Sequence, residues 1–235
     1  MRKEVKSMKI KSKKLSTLFG VNLLKTLYFN FHYLNFKQAI KLPILIYWRT
    51  RFHAVEGGIR LMAPAKTGML RIGVHLLGTQ DPRLSTTVWD VSGTLEVGGL
   101  TYIGRGTKLS IGDGATLSLG EGFCVTGNSE IICKKQICFG NNCLVSWSVL
   151  LMDTDFHLIL DSNNVVTNVP SPIIIGNHAW IGCRSTILKG VSLPEETVVA
   201  AGSLISRSFS EKGCVIGGQG RDAAVLKRDI SWKLC

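Results

Sequence analysis

The chain has five histidines, at 32, 53, 75, 157 and 178, and His157 has acids two and four residues before it in Asp153-Thr-Asp-Phe-His157. Those residue types suit general-base chemistry. An imidazole with a near-neutral pKa can take the proton of a hydroxyl as the oxygen attacks an electrophile. A carboxylate on its other nitrogen would fix the tautomer and stabilise the imidazolium. Asp155 or Asp153 could supply that carboxylate, and spacing does not choose between them. The plainer alternative is a solvated loop histidine beside two turn-forming aspartates. Metal ligation is disfavoured: no His-x4-His pair occurs, and the cysteines at 124, 133, 138, 143, 183, 214 and 235 form no Cys-x-x-Cys pair.

The elements that would carry this triplet are announced by a repeat. After Asp153 the chain runs through turn formers to Pro170-Ser-Pro172, so residues 153–172 read as a loop leaving and rejoining a scaffold. Beyond it, Ile175, Ile181, Ile187, Leu193, Val199 and Ile205 stand six apart, with Gly176, Gly182, Pro194 and Ala200 following four of them. A helix repeats every 3.6 residues and a half-buried strand every 2, so a spacing of six fits a solenoid of short strands separated by tight bends. Before the loop the series includes Val97, Ile103, Ile111, Leu119, Val125, Ile131, Ile137, Val145 and Leu151. Its steps of eight are corner insertions, which a solenoid tolerates because each coil touches only its neighbours.

The run Ile175-Gly-Asn-His-Ala-Trp-Ile-Gly-Cys-Arg-Ser-Thr-Ile-Leu-Lys-Gly-Val-Ser, followed by Val198-Val-Ala-Ala-Gly-Ser, resembles the hexapeptide-repeat acyltransferases, in particular the branch that acetylates sugars. The resemblance covers roughly residues 95–225. It implies an all-β fold, a left-handed parallel β-helix of three hexads per coil, and a homotrimer with acetyl-CoA as co-substrate between neighbouring subunits. Asp153-Thr-Asp-Phe-His157 is similar to the family segment that holds the catalytic histidine, which makes His157 the base, Asp155 and Asp153 its candidate partners, and a saccharide hydroxyl the acceptor. Trp180 and Gly182, in the Asn-x-x-Trp-Ile-Gly hexad, match positions near the acyl end of the coenzyme. Ala200, Ala201 and Gly202 match small residues whose backbone meets the pantetheine arm. Ser206 and Arg207 match the hydroxyl and cation near its phosphates. At residues 215–225 the chain departs from the family's Gly-Asn-Pro-Ala followed by a cation: Gly220 replaces proline and Asp222 takes the cation position, leaving Arg221 as the substitute.

Composition agrees with a globular protein: 235 residues, 45% hydrophobic, with 25 Gly and 6 Pro. The net charge of +12 is concentrated at one end: residues 1–60 hold thirteen Lys or Arg against Glu4 and Glu56, or +11, and the remainder fifteen against fourteen. The expected organisation is a basic N-terminal helical or capping region over 1–60, a β-helix domain over 61–215 containing the loop 153–172, and a tail over 216–235. Leu15, Leu18, Phe19, Leu23, Leu27, Phe31 and Leu34 share one helical face, and a second apolar segment runs from Phe36 to Trp48 with Pro43 interrupting it. This region either caps the open first coil or lies as a basic helix on an anionic membrane surface; the two are compatible. Nucleic acid is not an expected partner, since the repeat domain adds no positive stripe. Cysteine usage and the absence of a secretory signal suggest a cytoplasmic enzyme, peripheral at the inner membrane face in the membrane reading. An acetyltransferase acting on serine or another small molecule, and a non-catalytic β-helix scaffold, are the alternatives to saccharide acetylation.

Overall fold

A computed structural model describes residues 20–81 and 83–234. Short strands fall into three sheets of nine, eight and six among the described residues, and the chain visits the sheets in rotation. The first sheet starts at Ile44–Ile46, the second at Thr50–Ala54 and the third at Gly58–Leu61. Each strand therefore pairs in parallel with its counterpart one coil later, forming a β-helix.

The hexad residues are its core. Ile175 pairs with Leu193, Ile181 with Val199 and Ile187 with Ile205, each eighteen residues apart, and all six side chains are buried. Burying one such aliphatic contributes roughly 1.5–3 kcal/mol, so every coil adds a similar increment at each of its three sides. The corner between the first and second sheets turns through a left-handed residue three places after each inward aliphatic. Gly106, Asn128, Ser148, Arg184 and Gly202 take φ values of 80, 51, 57, 58 and 73°. Glycine and asparagine adopt that conformation readily; Ser148 and Arg184 do so at a steric cost.

The coils extend further than the spacing predicts. The strands at Ile44–Ile46, Thr50–Ala54 and Gly58–Leu61 pair with those of the next coil ahead of the expected boundary at 61. Long corner segments at 62–69 and 75–86 stretch the spacing there and hide the repeat. At the other end Val215–Gly217 and Gln219–Gly220 continue the first and second sheets, and Ala224–Lys227 folds back antiparallel.

The N-terminal helix begins later than the apolar spacing predicts, and only part of its apolar face is turned inward. It runs over Leu23–Tyr33 (α1), capped by Asn22, whose side chain accepts from the Lys25 amide, and Phe36–Ala39 forms a short second helix (α2). Leu15, Leu18 and Phe19 lie outside the described residues. The face that α1 buries is Thr26, Phe29 and Asn30, while Leu23, Leu24, Leu27 and Phe31 point outward.

The cause is the unpaired edge of the first coil, because Ile44–Ile46 has a partner strand on one side only. Asn30 Nδ2 donates to the Ile44 carbonyl at 2.7 Å and its Oδ1 accepts from the Ile44 amide at 3.1 Å; Thr26 Oγ1 accepts from the Ile46 amide at 3.0 Å. Two polar side chains, with the backbone of residues 20–22 bridging to 46–48, thus replace a missing strand. Phe29 plugs the end of the core, with ring centroids 4.4 Å from Phe52 and 5.2 Å from the buried Trp89.

Replacing Asn30 by Leu would orphan two buried backbone groups at roughly 1–3 kcal/mol each, so a loss of about 3 kcal/mol is expected in urea unfolding. An unchanged midpoint would show that water or a different packing satisfies that edge.

Candidate active site

The loop 153–172 emerges from the corner between the second and third sheets, between the strands Leu150–Met152 and Ile173–Ile175. Its first residue is not a partner of His157. Asp153 is fully buried, and its carboxylate accepts from the backbone amides of Lys134, Lys135 and Gln136 at 2.7–2.8 Å. It closes the corner of the preceding coil, as a carboxylate does wherever several amides converge. Beside it the Cys133 thiol is pushed up to about 12, first by burial and then by Asp153, so it is no nucleophile at neutral pH.

Asp155 is committed elsewhere as well. Its Oδ2 accepts from Lys189 Nζ at 2.5 Å and from Asn168 Nδ2 at 2.9 Å. The hydrogen bonds from Lys189 and then Asn168 hold its carboxyl below the ordinary aspartate value of 3.8. Neither carboxylate hydrogen-bonds the imidazole in this structure: Asp153 is held by backbone amides and Asp155 Oδ2 by Lys189 and Asn168.

These groups instead fix the backbone at His157. Asn168 Nδ2 also donates to the His157 carbonyl at 2.7 Å, its Oδ1 accepts from the Ile159 amide at 2.7 Å, and Lys189 Nζ reaches the Asn168 carbonyl at 2.8 Å. The His157 amide donates to the Asp155 carbonyl at 2.7 Å, and Phe156 is forced to a left-handed φ of 61°. A bulky residue in that region is strained by roughly 1–3 kcal/mol and persists only where its surroundings impose it. Here the clamp of Asn168, Asp155 and Lys189 imposes it. The outcome is an exposed His157 whose imidazole makes no hydrogen bond among the described residues.

The residues expected to hold a coenzyme divide between two corners. Trp180, Gly182, Ala200, Ala201 and Gly202 lie on or beside the corner between the first and second sheets. Trp180 Nε1 donates to Ser146 Oγ at 2.9 Å, and a methyl group at Gly182 would meet the Val199 carbonyl at 2.5 Å. Gly202 faces open space and Ala201 is exposed, so backbone is accessible there. Ser206, Arg207 and Arg221 follow second-sheet strands and stand on the corner that carries His157. Arg207 Nε and Nη2 both donate to the Ala223 carbonyl, at 3.0 and 2.7 Å, while Ser206 and Arg221 are exposed. One chain thus separates His157 from the Trp180 corner by the width of the second sheet. That sheet's outer face carries half-buried Ile132, Leu150, Met152, Leu188 and Leu204 near these corners, with Thr186 among them and the Lys108–Glu130 pair further along, whereas the third sheet shows Thr116, Ser118, Gln136, Ser192 and the exposed Ile174.

Three contributors escape motif reading. Lys189 and Asn168 carry no pattern of their own; Lys189 is identifiable only as the residue two places after Ile187, one coil beyond Asp153. Trp232 is the third. It stacks on His178 with centroids 4.3 Å apart, donates Nε1 to the His178 carbonyl at 2.7 Å, and lies 5.8 Å from Trp180. His178 in turn pairs with Glu196 at 2.7 Å. No group of three or more His, Cys, Asp or Glu side chains that could hold a metal occurs among the described residues.

Comparison with known proteins gives the fold its class. No family model matches the sequence. The chain is 34% identical over 142 residues to an uncharacterised 24.8 kDa protein in the cps region of Klebsiella pneumoniae, covering 60% of this chain and 61% of that protein. It is 39% identical over 67 residues to the polysialic acid O-acetyltransferase of Neisseria meningitidis, covering 27% of this chain and 31% of that one. The chain thus spans less than two thirds of the curated relatives it matches. Among solved structures, the polysialic-acid-specific acetyltransferase NeuO superposes with a TM-score of 0.52 at 19% identity, covering 82% of this chain and 79% of that one. The fold is the left-handed parallel β-helix of hexapeptide-repeat acetyltransferases.

The clamp makes a local prediction. Lys189→Ala should accelerate amide hydrogen exchange across 155–168 by at least about tenfold while leaving the coil strands protected, since exchange reports local opening. Because the Asp155 pKa is lowered, its contribution is present above the ordinary value of 3.8 and is lost only as pH falls through its lower folded value. Wild-type exchange in the loop should therefore show no added opening between about pH 5 and 8. Unchanged protection in the variant, or a loop that opens within that range, would remove the clamp from the account.

Proposed function

We propose that the chain is an O-acetyltransferase that moves an acetyl group from acetyl-CoA to a hydroxyl of a saccharide, with His157 as general base. The observation that carries this reading is the imidazole itself. It projects from a strained turn, held by three buttressing side chains, at the corner of a fold whose named relatives acetylate saccharides.

The reaction is a direct transfer. His157 takes the acceptor hydroxyl proton as its oxygen attacks the thioester carbonyl; the new C–O bond forms, the C–S bond breaks, and coenzyme A leaves, receiving the proton as thiol. Direct attack also fits the buried thiols: burial pushes Cys124 and Cys143 up to about 11 and Cys133 to about 12, far from the thiolate form. The coenzyme fits the exposed small residues Ala201 and Gly202, where a pantetheine arm can approach backbone closely. Arg207 and Arg221 supply guanidinium groups for its phosphates.

The working unit in this reading is a homotrimer. The two corners that share the functional residues flank the apolar patch of Leu150, Met152, Leu188 and Leu204 on the second sheet, so packing that patch against a neighbour would join the His157 corner of one chain to the Trp180 corner of the next. The six described cysteines are all free, which suits a reducing compartment such as the cytoplasm.

Replacing His157 by Ala should lower kcat by at least the ~100-fold expected for a lost general base, with the KM for acetyl-CoA nearly unchanged. The assay is release of coenzyme thiol with an oligosaccharide acceptor. Near-normal turnover in the variant would overturn the assignment.

A further inference from the structure

We propose that the N-terminal end of the solenoid docks on an anionic phospholipid surface through the outward face of α1 and α2. Leu24, Leu27, Tyr28 and Phe31 follow helical spacing along the side of α1 opposite its buried face, with Leu24 80% exposed. Phe36 of α2 adjoins this stripe, its ring centroid 6.1 Å from Phe31, and is 70% exposed; Ile40 follows it, also exposed. The inward face is already occupied by hydrogen bonds to the edge of the first coil, so the helix cannot turn over to hide these side chains.

Charge selects the occupant. Residues 20–60 carry six Lys or Arg against Glu56 alone, and residues 1–19, which lead directly into this end, carry seven against Glu4, while the rest of the chain is nearly neutral. Lys37, Lys41, Arg49 and Arg51 make no ion pair among the described residues. An apolar stripe in a segment rich in unpaired cations matches the boundary between acidic headgroups and acyl chains, where apolar side chains enter and cations stay in the headgroups. No described helix is long and apolar enough to cross a membrane, which is the regime of a helix lying in the interface. Docking by the end of the solenoid leaves the side faces and both functional corners free.

The experiment is co-sedimentation of the full-length chain with phosphatidylcholine vesicles, with and without a quarter of phosphatidylglycerol. Binding is expected only with phosphatidylglycerol, and it should fall at least about tenfold between about 0.05 and 0.5 M salt as screening grows. The double variant Leu24→Ser/Phe31→Ser changes only exposed side chains and should lose at least about tenfold in vesicle affinity with an unaltered circular dichroism melt. Indifference of the wild type to phosphatidylglycerol vesicles overturns the proposal, as does full binding by the variant. Light scattering that shows the variant dissolving a larger assembly, with no vesicle binding by the wild type, would assign the face to a protein partner instead. None of these outcomes depends on catalytic activity.

Discussion

The structure depends on parallel pairing at an interval of one coil. Where Ile181 lies over Val199 and Ile187 over Ile205, each coil supplies both the hydrogen-bonding template and the apolar floor for the next. Such a stack has no natural end. A first and a last coil always present unpaired backbone and an open core, and the chain must spend dedicated residues on closing them. At the start Asn30, Thr26 and Phe29 do this; at the finish Ala224–Lys227 turns back antiparallel against Val215–Gly217. Loops meanwhile leave the corners without cost to the ladder, which is how twenty residues from 153 to 172 fit between neighbouring strands.

The same requirement explains what the sequence revealed and what it hid. The hexad residues are legible because their spacing is a direct image of the coil, and the loop is legible as the place where it pauses. Hydrophobic periodicity marks the stripe on α1 but does not say whether it faces the protein. Here the protein face is an edge strand whose amides and carbonyls need partners, so the polar side turns in and the apolar side is left out. The first coils are hidden because long corners at 62–69 and 75–86 disturb the interval.

The candidate site teaches a related lesson about aspartates near a histidine. Asp153 and Asp155 carry the spacing that suggests a relay, yet one is buried against three amides of the preceding coil and the other is bound to Lys189. Asp155 joins Asn168, which holds the His157 carbonyl, while Asp153 ties the loop's first residue to the preceding coil. Spacing along the chain reports neighbours within a coil, whereas Lys189 reaches the loop from 34 residues beyond Asp155 and Asn168 from the loop's returning arm, 13 residues on. The stacking of corners brings Lys189 in, and the fold of the loop on itself brings Asn168.

The central claim is that one chain holds half of each site, with the His157 corner and the Ala201 corner joined across the second sheet of neighbouring subunits. Complementation tests it most directly. His157→Ala lacks the base, and Ala201→Trp places a bulky side chain on the exposed coenzyme corner; each alone should be nearly inactive. Co-expressed in equal amounts, they should recover about a quarter of wild-type activity, because random mixing in a trimer gives that share of interfaces an intact His157 opposite an intact Ala201. If the mixed preparation is no more active than the two variants assayed apart, although mass measurement shows mixed assemblies, then the site is not shared between chains.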